Sequence, residues 1–162
     1  MILPKELILK NNLVRDNISS EQFQPCGVDM TLKTVFAFKN QGSVDFDNKE
    51  RRLSDCEEIK FENDWVELKK GVYKVMFNEI VKIPNSCMGL AFPRSSLLRC
   101  GVSLGCAVWD PGYEGRSESL LIVGNESGIR LKRNAKLIQM VFVTLKEDAK
   151  ELYSGQYKGE NI

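Results

Sequence analysis

VSLGCAVWDPGYEGRSESLLIV, Val102–Val123, carries two apolar runs, Leu104–Val108 and Leu120–Val123, on either side of Trp109–Gly115 with its Pro111-Gly112 turn. Short runs rich in Val, Leu and Ile around a turn dipeptide read as strands. The same pattern recurs outward in both directions: VDMTLKTVFAF (28–38), KFENDWVEL (60–68), VYKVMFNEIVKI (72–83), CMGLAF (87–92), GIRL (128–131) and LIQMVFVTL (137–145). Turn residues separate these runs at the spacing of a sandwich or barrel, so the chain reads as mainly β. Two helical pieces interrupt it. PKELILKNN places Pro4 at a first helical position with Leu7, Ile8 and Asn11 at helical spacing. SSLLRCG opens on Ser95 or Ser96 as a cap and closes on Gly101.

The chain has 162 residues, 43% hydrophobic and 28% charged, with a net charge of +1. That length and balance suit one globular domain spanning 1–162. Residues 40–58 are polar and charge-dense and read as an exposed loop, while 150–162 read as a C-terminal tail that orders against something else. Lysines and arginines are scattered among acids, which argues against a nucleic-acid polymer as partner. No run has the length of a membrane span or the form of a secretory signal, so the expected location is cytoplasmic, with no membrane partner. Five cysteines at irregular spacing give neither a disulfide framework nor a zinc cluster. The absence of histidine excludes Ser-His-Asp and Cys-His nucleophilic machinery and the H-x-E zinc deaminases. Chemistry here falls to carboxylates, hydroxyls, arginines and a hard metal ion.

Four stretches place polar groups where apolar ones are expected. In FPRSSLLRCGV, Arg94 precedes Ser95 and Ser96 at a helix start, and Arg99 follows Ser95 by four residues. This is the chemistry of an anion site, and equally that of a capped surface helix with solvated arginines. Asp29 in CGVDMTL is either a solvent-facing strand residue or a site carboxylate; Gln139 in KLIQMVF either reads a ligand or ties a loop. Asp110 stands at a strand end before Pro111-Gly112, as a turn-starting Asp bonded to its own backbone or as a reactive carboxylate on a β rim. Tyr113 at the turn stacks on a flat ligand or covers the turn.

Taken in chain order, CGVDMTL, PRSSLLRCGV, AVWDPGYEGR and AKLIQMVF resemble the successive motifs of the dUTPase and dCTP deaminase superfamily, especially its archaeal-type members. The opening MILP, the QPCGVD segment and YSGQYKGE resemble that subgroup too. The resemblance implies a distorted jelly-roll-like β-barrel with two short helices, assembled as a homotrimer whose subunits share their active sites. It also implies Mg2+ carried on the triphosphate, with no direct protein ligand and with Asp29 near its water shell. Asp110 matches the catalytic aspartate, and Arg94 and Asp29 match further motif residues. Ser95, Ser96, Arg99, Ala107, Val108, Tyr113, Gly115, Gln139 and Tyr157 match substrate-binding positions, with Tyr113 beneath the deoxyribose. Members continue past the Y-x-G segment into a tail that closes over the triphosphate, where this chain has Gly159-Glu160-Asn161-Ile162.

The deaminases of this superfamily carry a proton-shuttling glutamate ten residues after the motif aspartate. That count reaches Leu120 here, and registering from Asn125 instead reaches Ile122; neither transfers a proton. Glu118 shares the parity of Leu120 but lies roughly 6–7 Å nearer the turn. The expected activity is therefore hydrolysis of dUTP to dUMP and pyrophosphate. A dCTP deaminase or bifunctional enzyme using Glu118, and a non-catalytic nucleotide-binding trimer, are the alternatives.

Overall fold

The computed structural model describes residues 1–162. Its elements in chain order are α1 (Lys5–Lys10), β1 (Val14–Arg15), a 3₁₀ turn (Ser20–Gln22), β2 (Phe23–Gln24), β3 (Gly27–Phe38), β4 (Cys56–Ile59), β5 (Trp65–Leu68), β6 (Gly71–Phe77), β7 (Ile80–Lys82) and β8 (Cys87–Pro93). There follow α2 (Ser95–Arg99), β9 (Val102–Gly105), β10 (Glu114–Gly115), β11 (Glu118–Val123), β12 (Ile129–Lys132) and β13 (Lys136–Thr144). The protein is mainly β with two short helices, as the sequence predicts.

The largest sheet runs β8-β13-β3-β6-β11-β9, with β2 and β4 also paired to β3; smaller sheets are β1-β7-β10 and β12-β5. Twelve-residue β3 is its hinge. Its first half pairs with β2 and β13 and its second half with β4 and β6, so one strand bends from one side of the barrel to the other. Residues 27–32 are all buried, which is why their sequence shows no clean alternation. Alternation is clean where only one face is covered, as on β11, whose Ser119, Leu121 and Val123 are buried between outward Glu118, Leu120 and Ile122. Phe77, Phe142, Met30, Leu32, Leu121 and Ile138 are sealed at the centre.

Gly27 explains how β3 lies so close to its neighbour: a Cβ there would stand 2.3 Å from the carbonyl oxygen of Met140 on β13. The N-terminus is sewn to the same sheet. The Met1 ammonium donates to Thr144 Oγ1 at 2.7 Å, and Leu3 N–H to Phe142 O at 2.8 Å.

Three local expectations are corrected. Pro4 is extended (φ −73°, ψ 162°) and caps α1 through its carbonyl, which accepts from Leu7 and Ile8, so the helix begins at Lys5. At α2 neither serine caps. Arg94 takes that position because its N–H donates to Leu137 O at 2.9 Å, holding it extended beside β13, while Gly101 (φ +72°) ends the helix as expected. The run 72–83 is two strands, not one. It breaks at Asn78-Glu79, where the Glu79 carboxylate turns fully inside to accept from Gln22 Nε2 (2.6 Å), Thr31 Oγ1 (2.5 Å) and Thr31 N–H (2.8 Å).

Candidate active site

The turn between β9 and β11 opens onto a cavity of about 530 Å³. Ala107, Val108, Asp110, Tyr113 and Tyr157, all predicted site residues, line it, and Gly115 borders it beneath the Tyr113 hydroxyl. The turn is closed by Tyr113 N–H donating to Asp110 O at 3.1 Å and clipped to the barrel by Gly112 N–H to Ile83 O at 2.9 Å. Backbone thus satisfies the turn, and the exposed Asp110 carboxylate faces the cavity without a hydrogen-bond partner. Tyr113 is 5% exposed and meets Tyr153 edge to face, with centroids 5.8 Å apart. Burial, with the Glu160 carboxylate beside it, pushes the Tyr113 hydroxyl well above its ordinary pKa, so it stays protonated and donates to Glu160 Oε1 at 2.7 Å.

Glu118 also faces this cavity. β11 pairs Leu120 with Gly105, Cys106 Sγ lies 3.3 Å from Ser119 Oγ, and beyond that contact Glu118 and Ala107 line the same cavity. The distance counted along the strand therefore does not remove Glu118 from the site. Its carboxylate meets Lys74 Nζ of β6 at 2.8 Å, and Lys74 is fixed from its other side over the Phe36 ring at 4.7 Å.

A second cluster forms where β3, β13 and α2 meet. Asp29 is wholly buried, which overturns its reading as a solvent-facing strand residue. Its Oδ2 accepts from Arg94 and from Gln24 Nε2 (3.0 Å), with Lys136 Nζ at 3.4 Å, while Oδ1 is sealed without a partner. Gln139 lies opposite Asp29 across the β3–β13 pairing, half-buried, and its amide reaches only Cys26 Sγ at 3.7 Å, so of the two readings the loop tie is the one without support. Ser95, Ser96 and Arg99 are exposed on α2, with an Arg99 guanidinium N–H donating to Ser95 O at 3.0 Å. None of Asp29, Arg94, Ser95, Ser96, Arg99 or Gln139 lines the Asp110 cavity. Within one chain the predicted residues thus form two groups.

Sequence reasoning named Tyr157 but missed Lys74, Glu160 and the rest of the roof of the cavity. Val44, Arg52 and Leu53 of the 39–55 arm and Tyr153, Tyr157 and Glu160 of the tail close over it. The arm is braced by reciprocal Ser43–Arg52 backbone bonds and joined to the tail by Arg51 donating to Gln156. Lys74 was legible only as an outward residue of an alternating strand, and Glu160 carried no signal.

Residues 4–145 match the model of the family described as dCTP deaminase-like. The chain belongs to the dCTP deaminase-like family. It is 50% identical over 159 residues to a probable deoxyuridine 5'-triphosphate nucleotidohydrolase of Archaeoglobus fulgidus, covering 98% of this chain and 94% of that one. Identity is 52% over 141 residues to a protein of the same description from Methanosarcina acetivorans, covering 86% and 82%. It is 42% over 146 residues to the deoxyuridine 5'-triphosphate nucleotidohydrolase of Methanocaldococcus jannaschii, covering 89% and 92%. Among solved structures, 2'-deoxycytidine 5'-triphosphate deaminase from Agrobacterium tumefaciens has the same fold. Its TM-score is 0.65 at 18% identity, over 87% of this chain and 47% of that one. No helix is long and apolar enough to cross a membrane.

Proposed function

We propose that this chain is a dUTP diphosphatase, splitting dUTP to dUMP and pyrophosphate by attack of water on the α-phosphorus. The observation that carries the reading is Asp110: a carboxylate left unbonded by its own turn, on the wall of a cavity large enough for a nucleoside, beside a buried tyrosine ring. The names of relatives about half identical over nearly the whole chain agree with it.

In this mechanism the pyrimidine enters between Ala107–Val108 and Gly115, whose backbone groups offer uracil an acceptor for N3–H and a donor for O4. Cytosine presents the opposite pattern and leaves buried groups unpaired. The Tyr113 ring, which lines the cavity, packs beneath the deoxyribose and selects against a 2'-hydroxyl there. Asp110 orients a water in line with the α-phosphorus and takes its proton, a role worth about 10²–10⁴-fold. Arg94, Ser95, Ser96, Arg99 and Gln139 serve the phosphates, and Asp29 acts by holding the Arg94 guanidinium in one orientation while its other N–H groups remain free. The separation of these residues from the Asp110 cavity within one chain supports a homotrimer in which the second cluster of one subunit completes the cavity of its neighbour.

No three acidic or cysteine side chains gather into a metal site, and Asp29 is sealed from solvent. Asp29 is the acid expected near the metal's water shell, and its burial removes it from that role; Asp110, open on the cavity wall, would be the carboxylate facing Mg2+ carried on the triphosphate. Bound there, magnesium supplies charge neutralisation at the phosphates.

Incubation with dUTP and magnesium tests the proposal: pyrophosphate release that Asp110→Asn lowers by about 10²–10⁴-fold is expected, and release untouched by that substitution overturns it. A second reading, dCTP deamination, is favoured by one observation, the Glu118 carboxylate on the same cavity wall as Ala107. Ammonia release from dCTP, lost in Glu118→Gln, identifies that activity.

A further inference from the structure

The wall of the Asp110 cavity changes character with depth. Tyr113 and Ser117 are buried, whereas Asp110 and Arg52 are exposed at the opening. The charged groups on it are three carboxylates, Asp110, Glu118 and Glu160, and two cations, Lys74 and Arg52. Most of these are already engaged. Lys74 Nζ meets the Glu118 carboxylate at 2.8 Å, and Glu160 Oε1 accepts from the Tyr113 hydroxyl at 2.7 Å. Asp110 and Arg52 remain, an acid and a base on one rim, neither side chain held by a hydrogen bond or an ion pair.

Arg52 belongs to the polar arm between β3 and β4, and its backbone is clamped. Its N–H donates to Ser43 O at 3.0 Å and its carbonyl accepts from Ser43 N–H at 2.8 Å. Below that bridge Asp55 N–H donates to Asn40 Oδ1 at 2.8 Å, and Asn40 Nδ2 to Asp55 Oδ2 at 2.6 Å. The arm's other acids are also occupied locally: Asp45 accepts from Glu50 N–H at 2.8 Å, and Asp47 pairs with Lys49 at 2.5 Å. Neighbouring Arg51 is spent on Gln156. A guanidinium on a fixed backbone, claimed by no acid, is a cation kept free for an anion from outside.

A nucleoside triphosphate entering here puts its apolar part against the buried wall and its phosphates at the opening, where carboxylates outnumber cations. We propose that Arg52 binds the phosphate end of the nucleotide, its guanidinium donating to oxygens of the α-phosphate at the rim it shares with Asp110. The inference rests on the dUTP reading of the cavity and adds a residue to it. Arg52 lies outside all the motifs that carry the family resemblance, and it comes from the same chain as Asp110. Its planar fork holds the α-phosphorus against the water that Asp110 orients and offsets the negative charge beside it.

The test is competitive inhibition of dUTP turnover, followed as pyrophosphate release with Mg2+, by α,β-imido-dUTP and by 2'-deoxyuridine, on the full chain, Arg52→Gln and Arg52→Lys. In Arg52→Gln the inhibition constant of α,β-imido-dUTP and KM for dUTP are expected to rise about tenfold or more, as for a lost charge-assisted hydrogen bond, with deoxyuridine unaffected and Arg52→Lys intermediate. The thermal midpoint stays in place, because the clamp at Arg52 is made by main chain. An unchanged constant for α,β-imido-dUTP overturns the inference. So does an equal loss for both inhibitors, which marks Arg52 as plain wall; either result leaves the dUTP reading standing. Absence of pyrophosphate release by the full chain overturns that reading, and the inference with it.

Discussion

The carboxylate of Asp29 and the guanidinium of Arg94, 65 residues apart in the chain, form an ion pair whose acid is wholly buried and whose base keeps about a third of its side chain in solvent. Asp29→Ala leaves Arg94 without its anchor and Lys136 without a near neighbour of opposite charge. Breaking a fully buried pair from one side costs roughly 3–5 kcal/mol. The exposure of Arg94 brings the expected loss below that range, and urea unfolding measures it. The signature of positioning is a larger fall in kcat/KM for dUTP than Lys136→Met produces under the same conditions.

Asp110→Asn is expected to lower kcat for pyrophosphate release by about 10²–10⁴-fold. The thermal midpoint should not move, because the carboxylate is exposed and the turn is closed by Tyr113 N–H to Asp110 O instead. A midpoint that falls together with kcat would show that the side chain holds the turn.

Glu79 gives stability a pH dependence. Burial pushes its carboxyl above the ordinary range against the pull of Thr31 and Gln22, so the folded protein holds that proton more tightly than the unfolded chain does. Its contribution is complete below the unfolded value near 4.5 and fades as pH rises through the folded one. Glu79→Gln keeps one acceptor oxygen and turns the other into a donor, which leaves either Thr31 N–H or the donors of Gln22 and the Thr31 hydroxyl unpaired and costs about 1–3 kcal/mol at the acid end. The gap to the parent should narrow toward neutral pH in urea melts. A gap that widens with pH contradicts this account.

Gly27→Ala puts a methyl group 2.3 Å from Met140 O, a backbone atom with no freedom to swing away. The β3–β13 pairing must open locally, at the roughly 1–3 kcal/mol of an overpacked core. Because Gln139 lies beside Met140 and opposite Asp29, nucleotide binding should weaken as well, which titration with α,β-imido-dUTP detects.

The sequence makes the Val102–Val123 hairpin legible because both its signals are local, a pair of short apolar runs and the Pro-Gly turn between them. The motif order is legible for the same reason. The burial of Asp29 is not, since the groups that take it inside come from Gln24, Arg94 and Lys136, on three other segments. The break at Asn78-Glu79 is hidden by an apolar pattern that runs on through it, and its cause is the distant pair Gln22 and Thr31. Glu118 shows the converse. Its parity was readable, while its place on the cavity wall with Ala107 depends on where the β9–β11 pairing starts, which a hairpin of this length does not state.

The stitching of Met1 to Thr144 across 143 residues bears on how the protein is made. β3, complete within the first forty residues, has β13 as its partner along its buried half. A nascent chain therefore carries the buried first half of β3 without its β13 partner for most of its synthesis, although β2, β4 and β6 are already made, and closure of the sheet waits for the last long strand to leave the ribosome. Folding of this chain finishes only after its synthesis, slowed by the entropy of closing a long loop and exposed to aggregation until it happens.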